Sequence, residues 1–332
     1  MSNQTIGLAL GGGGARGGAH IGALQVLHNS NIYPTMIAGT SAGSTIGAMY
    51  AASLDPDWMK NRFKELISDG KVAALGDMQV AGERESSSVW GQVAQFFKDR
   101  IEIILAMNKL ALMDSKNIRE IIEFLLPVKT FAELQIPMII TATDIQTGQA
   151  VLHDSGDLVD AVVQSSTVPG IFTPKIKDDM YLVDGGAVMP LPVPALQGKV
   201  DYILALDISK TGLNKLDRYN MYSIITRAET IRGMHYTRTL AEQADFVIHP
   251  DVGDTHWSRF DLFDQLIDTG RQAAEQQINL LKADLSRRKG WAYKFKQWVG
   301  QTGYLQYFPH LQKKNGTFQL DSDLTNVDLF HP

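Results

Sequence analysis

Four consecutive glycines, Gly11–Gly14, close a short apolar run over residues 5–10 and open a helix-forming stretch that reaches residue 29. Four flexible residues in a row cost more conformational entropy than a plain surface turn warrants. They suit a place where a buried strand must turn into a helix with its backbone amides exposed. The same unit follows at once: an apolar run over 35–40, a tight Gly39-Thr40-Ser41-Ala42-Gly43 turn, and a helical run over 42–53. Further strands are expected at 137–143, 149–153, 180–184, 200–207 and 245–249. Helices are expected at 57–68, 89–109, 115–125, 156–165, 219–243 and 261–285. This alternation predicts an α/β fold, a three-layer α/β/α sandwich around a largely parallel central sheet.

With 332 residues, 44% of them hydrophobic, the chain can bury a large core. The pattern reads as one domain over 1–285 followed by an extension over 286–332. Between 282 and 314 stand eight Lys/Arg and one acid, Asp284, interleaved with Trp291, Tyr293, Phe295, Trp298, Tyr304, Tyr307 and Phe308. The net charge of −5 gives no global basic field for nucleic acid, so no nucleic-acid partner is expected. The absence of cysteine excludes disulfides, thiolate catalysis and Cys-ligated zinc. The first residues lack a basic stretch before their apolar run, and no window offers about 18 uncharged apolar residues. A cytoplasmic protein, open to peripheral membrane contact, is expected.

Gly39–Gly43 is a G-x-S-x-G motif in the strand–turn–helix setting that a nucleophile elbow requires. Ser41 is then the candidate nucleophile. The glycines at its flanks remove side chains that would clash, and the helix start behind it favours developing negative charge. The amide of Ala42 can donate to an oxyanion.

The glycine loop admits three functional readings. A P-loop needs Lys-Ser/Thr after its last glycine, and Gly18-Ala19 stands there. A dinucleotide fingerprint needs an acid about 20 residues on, and residues 1–54 contain neither Asp nor Glu. An oxyanion hole built from the amides of Gly12, Gly13 and Gly14 meets no such objection, and a plain tight turn is the bland alternative. For the base, Asp184 ends an apolar strand ahead of Gly185 and Gly186, where an Asx-turn would serve equally well. His249 is the rival, because Ser–Asp–His is the chain order of α/β-hydrolases.

Three motifs in this order, Gly11–Gly18, Gly39–Gly43 and Asp184–Gly186, resemble the patatin-like phospholipase family. Two further stretches are similar to its bacterial branch related to neuropathy target esterase: Phe131–Pro137 with Ala142-Thr143-Asp144, and Ser165–Pro174. The resemblance covers about residues 5–208. It implies a patatin-like fold and a Ser41–Asp184 dyad without histidine. It also implies an oxyanion loop, an acyl-enzyme, and fatty-acyl esters of lipids as substrates, with no metal or organic cofactor. Arg16 is expected to support the oxyanion loop or a substrate phosphate, or equally to serve as a structural ion-pair partner, and Asp144 to hold a strand-end turn. His20 is left outside the catalytic set. A patatin fold kept only for binding or regulation is the alternative in a different class.

Two segments carry expectations from composition alone. Residues 76–110, with an apolar stripe through Val93, Phe96, Phe97, Ile101, Ile104 and Leu105, read as a lid or as a helix packed on the sheet. The basic-aromatic stretch 286–314 suits an anionic membrane surface.

Overall fold

The structure is a computed structural model that describes residues 4–69, 111, 113–216, 219–288, 311–314 and 317–320. The expected lid and most of the basic-aromatic extension lie outside the described residues.

The first βα unit is β1 (Ile6–Leu10), a 3-10 turn over Gly14–Gly17, and α1 (Gly18–Asn29). The second is β2 (Met36–Thr40), α2 (Ala42–Ser53) and α3 (Pro56–Ser68). Then come α4 (Ser115–Leu125), β3 (Met138–Asp144), β4 (Gln149–His153) and α5 (Leu158–Ser165). A hairpin of β5 (Lys175–Lys177) and β6 (Met180–Asp184) leads to β7 (Tyr202–Leu206). α6 (Met221–Ala241), β8 (Phe246–Ile248) and α7 (Phe263–Arg288) follow, with β9 (Leu311–Lys314) and β10 (Thr317–Leu320) last. Helix starts are fixed by side chains: Asp55 caps α3, Asp114 caps α4, Asp157 caps α5, and Asn220 forms a capping box with Ser223 on α6.

The sheet runs β8-β7-β1-β2-β3-β4-β10-β9, with β6 also paired to β3 and β5 to β6. It is parallel from β8 to β3 and antiparallel in every other pairing. The expected largely parallel sheet is therefore mixed, and connection length gives the reason. Residues 145–148 between β3 and β4 are too few for a crossover, so those strands must run antiparallel. Between β5 and β6 stand only Asp178 and Asp179, both with positive φ (48° and 63°), the geometry of a primed hairpin turn.

The two faces are covered unequally. Leu8, Leu10, Ile37, Ile140 and Leu204 pack on one side against α1–α5 and α7. Ala9, Ala38 and Ala205 pack on the other against Leu191–Leu196 and Leu240-Ala241 at the end of α6. Right-handed crossovers account for this. β1→β2 and β2→β3 step one way along the sheet, whereas β7→β8 steps the other way and carries α6 to the opposite face.

α1 is buried on nearly all sides and meets α7 backbone to backbone. A Cβ on Gly22 would fall 1.9 Å from the carbonyl oxygen of Ile267, and one on Gly270 would fall 1.9 Å from that of Ala19. α7 also reaches β7, where the Tyr202 hydroxyl donates to Asp284 at 2.8 Å. It runs on through Arg288, past the boundary expected at 285. No helix among the described residues is long and apolar enough to cross a membrane.

Glycine substitutions test this helix contact. Gly270→Ala should destabilise the protein by about 3 kcal/mol, at the upper end of overpacking costs. Gly233→Ala on α6, whose Cβ would meet nothing within 4 Å, should be stabilising by about 0.5–1 kcal/mol. Thermal or urea unfolding of both variants checks the pair, and equal midpoints would remove the close contact.

Candidate active site

Strand register brings Ser41 and Asp184 together. Thr40, the last residue of β2, pairs with Thr141 of β3. Asp184, the last residue of β6, pairs with Ala142, the next residue of β3. β2 and β6 thus approach head-on along the same edge of β3, and Ser41 follows directly on Thr40. The Ser41 hydroxyl stands close enough to the Asp184 carboxylate to hold that group's pKa down against burial.

Ser41 has φ 54° and ψ −120°, a conformation that L-residues rarely adopt. Such strain costs about 1–3 kcal/mol and persists only where the surroundings enforce it. Here they do. A Cβ on Gly39 would lie 2.5 Å from the Gly43 carbonyl oxygen, and one on Gly43 would lie 2.1 Å from that of Leu10. The Ser41 amide donates to Ser165 Oγ at 2.8 Å, and its carbonyl accepts from the Ser44 hydroxyl and from the amides of Ser44 and Thr45.

Asp184 is 7% exposed. Burial pushes its carboxyl up to about 6, and hydrogen bonds from Ser41 and Gly186 offset only part of that shift. Its Oδ1 accepts from the Gly186 amide at 2.7 Å, and its own amide donates to the Thr167 carbonyl at 2.8 Å. Gly185 is required by Thr141, whose Oγ1 would lie 2.4 Å from a Cβ there. The hydroxyls of Thr141 and Thr40 are 2.7 Å apart, and Thr40 Oγ1 donates to the Met189 carbonyl at 2.8 Å. This chain of contacts fixes the segment after Asp184 to the end of β2.

The glycine loop divides its amides. Gly11 donates to the Leu206 carbonyl at 3.1 Å and Gly12 to that of Pro190 at 2.9 Å. Gly12, expected from the sequence as an oxyanion donor, has its N–H engaged in the scaffold. Its Cα faces Ser41, so a Cβ would meet that of Ser41 at 3.3 Å. Gly14 (φ 57°) presses on Trp257, whose carbonyl oxygen would lie 2.4 Å from a Cβ. Ala42 opens α2, where helical amides have no intrahelical acceptor.

Arg16 and His20 brace the loop from behind. The Arg16 guanidinium donates to the Thr255 carbonyl at 3.2 Å. Burial lowers its pKa to about 10, with Asp207 and Asp254 pulling the other way. His20 is fully buried, and its Nε2 donates to the Gly11 carbonyl at 2.8 Å. Burial holds its pKa down at about 4, so the ring is neutral and serves as a strut. Asp144 holds the β3–β4 turn by accepting from Thr147 Oγ1 at 2.7 Å and from the Gln146 and Tyr181 amides. Burial raises its carboxyl, but these bonds outweigh it and leave the pKa below its ordinary value.

His249 stands elsewhere. It follows directly on β8, three strand spacings or about 14 Å from β2. Its Nδ1 pairs with Asp207 Oδ2 at 2.9 Å. Two hydroxyl residues near Ser41 escaped the sequence reading. Ser165 fixes the elbow amide, and Ser166 lines the cavity with a buried Oγ that has no partner among the described residues. Only their place in the Ser165–Pro174 stretch pointed to them.

A cavity of about 90 Å³ opens beside Ser41. Gly14, Ser41 and Ala42 stand among lining that is otherwise mostly apolar, including Ile46 of α2, Phe63 and Leu66 of α3, and Phe263 of α7. Ile118, Ile121, Ile122 and Leu125 supply one face of α4 at helical spacing.

The chain is 31% identical over 217 residues to an uncharacterized NTE family protein of Mycobacterium bovis, covering 64% of this chain and 50% of that protein. It is 27% identical over 222 residues to human patatin-like phospholipase domain-containing protein 6, covering 66% of this chain and 14% of the human protein. It is also 27% identical over 253 residues to lysophospholipase nte1 of Emericella nidulans, covering 73% of this chain and 15% of the fungal protein. The chain thus matches about half the length of the mycobacterial relative and a small part of the others. Among solved structures, human GIVD cytosolic phospholipase A2 matches with a TM-score of 0.46 at 12% identity, over 86% of this chain and 59% of that one. The family model described as patatin-like phospholipase matches residues 8–196, more than half of the sequence, and the chain belongs to that family.

Proposed function

We propose that the protein is a serine hydrolase of lipid acyl esters, with Ser41 as nucleophile and Asp184 as its base. The observation that carries this reading is the contact between the strained Ser41 and a buried carboxylate at the mouth of an apolar cavity. Asp184 takes the hydroxyl proton as Ser41 Oγ attacks the ester carbonyl carbon. The oxyanion faces the amides of Gly13, Gly14 and Ala42, where each donor is worth about 3 kcal/mol in such sites. Collapse expels the alcohol with the proton held by Asp184. A water deprotonated by the same carboxylate then releases the fatty acid. Gly39, Gly43 and Gly185 act by fitting backbone to backbone, Gly186 by donating its amide to Asp184, and Arg16 by bracing the oxyanion loop. The apolar cavity receives the acyl chain, and no cofactor is invoked. The name of the fungal relative points to lysophospholipids as one substrate class to try first. The cytoplasmic, membrane-peripheral setting expected from the sequence belongs to the same proposal.

A Ser–Asp–His triad is disfavoured because His249 lies across the sheet and is already paired with Asp207. The test is hydrolysis of a medium-chain p-nitrophenyl ester and a lysophospholipid. Ser41→Ala and Asp184→Asn should each lose at least about 10³-fold in kcat/KM while remaining folded. His249→Ala should stay within a few-fold of wild type. A fluorophosphonate probe should label wild type and spare Ser41→Ala. Full activity in Asp184→Asn would overturn the dyad, and refusal of both probe and esters by wild type would leave a binding protein.

The raised Asp184 pKa yields two further expectations. The base works ionised, so kcat/KM should fall about tenfold per pH unit below pH 6 and level off above it. Folded Asp184 holds its proton more tightly than the unfolded chain, where the ordinary value is 3.8. The stability this contributes is present at pH 4 and lost as pH rises through about 6. Asp184→Asn should therefore stabilise the protein by about 2–3 kcal/mol at pH 8 and by little at pH 4. Urea titrations at the two pH values would show it, and an unchanged difference would refute the burial assignment.

A further inference from the structure

The N-terminal half of α6 presents apolar side chains that no described residue buries. Between Met221 and Tyr236 no described side chain is buried, and the first that is, Thr237, stands in the last turns. Most helical stability comes from packing an apolar face. Here the apolar side chains point to solvent: Tyr219 is 81% exposed, Met221 78%, Ile224 52% and Ile225 56%. Met221, Ile224 and Ile225 share one face by their i, i+3, i+4 spacing. Scattered exposed apolar residues need no explanation, but a contiguous group does.

The group stands on the same edge of the sheet as Ser41, because α6 follows the carboxyl end of β7 and runs back toward β8. It is also tied to the site's supports. The Tyr236 hydroxyl donates to the Val188 carbonyl at 2.8 Å, within the segment that follows Asp184. Arg227 donates to the Asn214 carbonyl, and the Asn214 amide and Lys210 both donate to Asp254. Asp254 belongs to the loop whose Trp257 presses on Gly14.

Charge indicates what covers this face. Residues 210–241 hold six Lys/Arg and two Asp/Glu, a local positive excess in a chain of net charge −5. Exposed Ile, Met and Tyr flanked by cations suit the boundary between water and an anionic lipid surface. We infer that the N-terminal half of α6, with Tyr219, docks the protein on an anionic phospholipid surface at the edge of the sheet where Ser41 stands. The inference extends the lipid-hydrolase reading, and its binding arm can fail or succeed independently of that reading.

The full chain and an Ile224→Glu/Ile225→Glu variant are sedimented with phosphatidylcholine vesicles with and without phosphatidylglycerol. Their hydrolysis of a soluble short-chain ester is measured in parallel. Both substitutions sit at solvent-facing positions, and the unfolding midpoint checks that the fold survives. Wild type should bind vesicles that contain phosphatidylglycerol, and the variant should bind them at least about tenfold less while matching wild type on the soluble ester. Wild type that ignores the vesicles, or a variant that binds them equally, overturns the docking surface. Equal binding together with a wild-type dimer that the variant breaks assigns the face to a second copy of the chain. Absence of ester turnover in both proteins counts against the hydrolase reading, while the sedimentation still decides docking.

Discussion

At Gly43 the first turn of α2 touches the end of β1 with no side chain between them. A Cβ there would fall 2.1 Å from the Leu10 carbonyl oxygen and 2.8 Å from that of Gly11. That approach sets the helix start beside the glycine loop, and Gly39 lets the chain double back beneath it. The turn between them has one conformation open to it, so Ser41 is forced into the left-handed region with its side chain turned toward Asp184. The strain belongs to the architecture, and the serine occupies the position where that architecture leaves a hydroxyl exposed.

The rest of the site is organised around what this elbow leaves unpaired. β2 ends at Thr40, and β6 arrives from the opposite direction to continue pairing with β3 at the next register position. Two strands that meet end to end at consecutive positions of β3 bring the serine and the aspartate together at their junction. Burial there raises the carboxyl toward neutrality, which suits a base that must take a proton and later give it back. A carboxylate in water would be too weak a base, and one in a strong ion pair weaker still. The Gly186 amide therefore stabilises Asp184 without a full opposing charge.

Local signals were legible in the sequence to the extent that they were local. The helices over 42–53 and 115–125 carry their expected limits: the glycine turn before Ala42 sets the start of the first, and Asp114 caps the second. Ser41 stood out between Gly39 and Gly43, and Asp184 ahead of Gly185 and Gly186, each at the end of an apolar run. Strand order was not legible, and with it went the antiparallel half of the sheet and the distance that separates His249 from Ser41. The Gly12 amide shows the limit in one atom. Whether it is free for an oxyanion depends on the carbonyl of Pro190, far along the chain, and no pattern near Gly12 reveals that partner. The helix contact through Gly22 and Gly270 is equally hidden, since an isolated glycine in a helical run reads first as a weak point.

The matched family region ends at residue 196, yet the site does not. The Ala15 amide donates to the Trp257 carbonyl at 2.6 Å, Arg16 reaches Thr255, and Gly14 has room only for hydrogen beside Trp257. The loop after β8 therefore sets the shape of the glycine loop, and Trp257, Phe260 and Phe263 wall the cavity. α7 in turn holds α1, the helix that follows the glycines, by a contact that admits no side chain at Gly22 or Gly270. Residues that carry no motif thus fix the positions of those that do. The part of the chain that folds around the site extends at least through α7, well past the stretch in which the motifs stand.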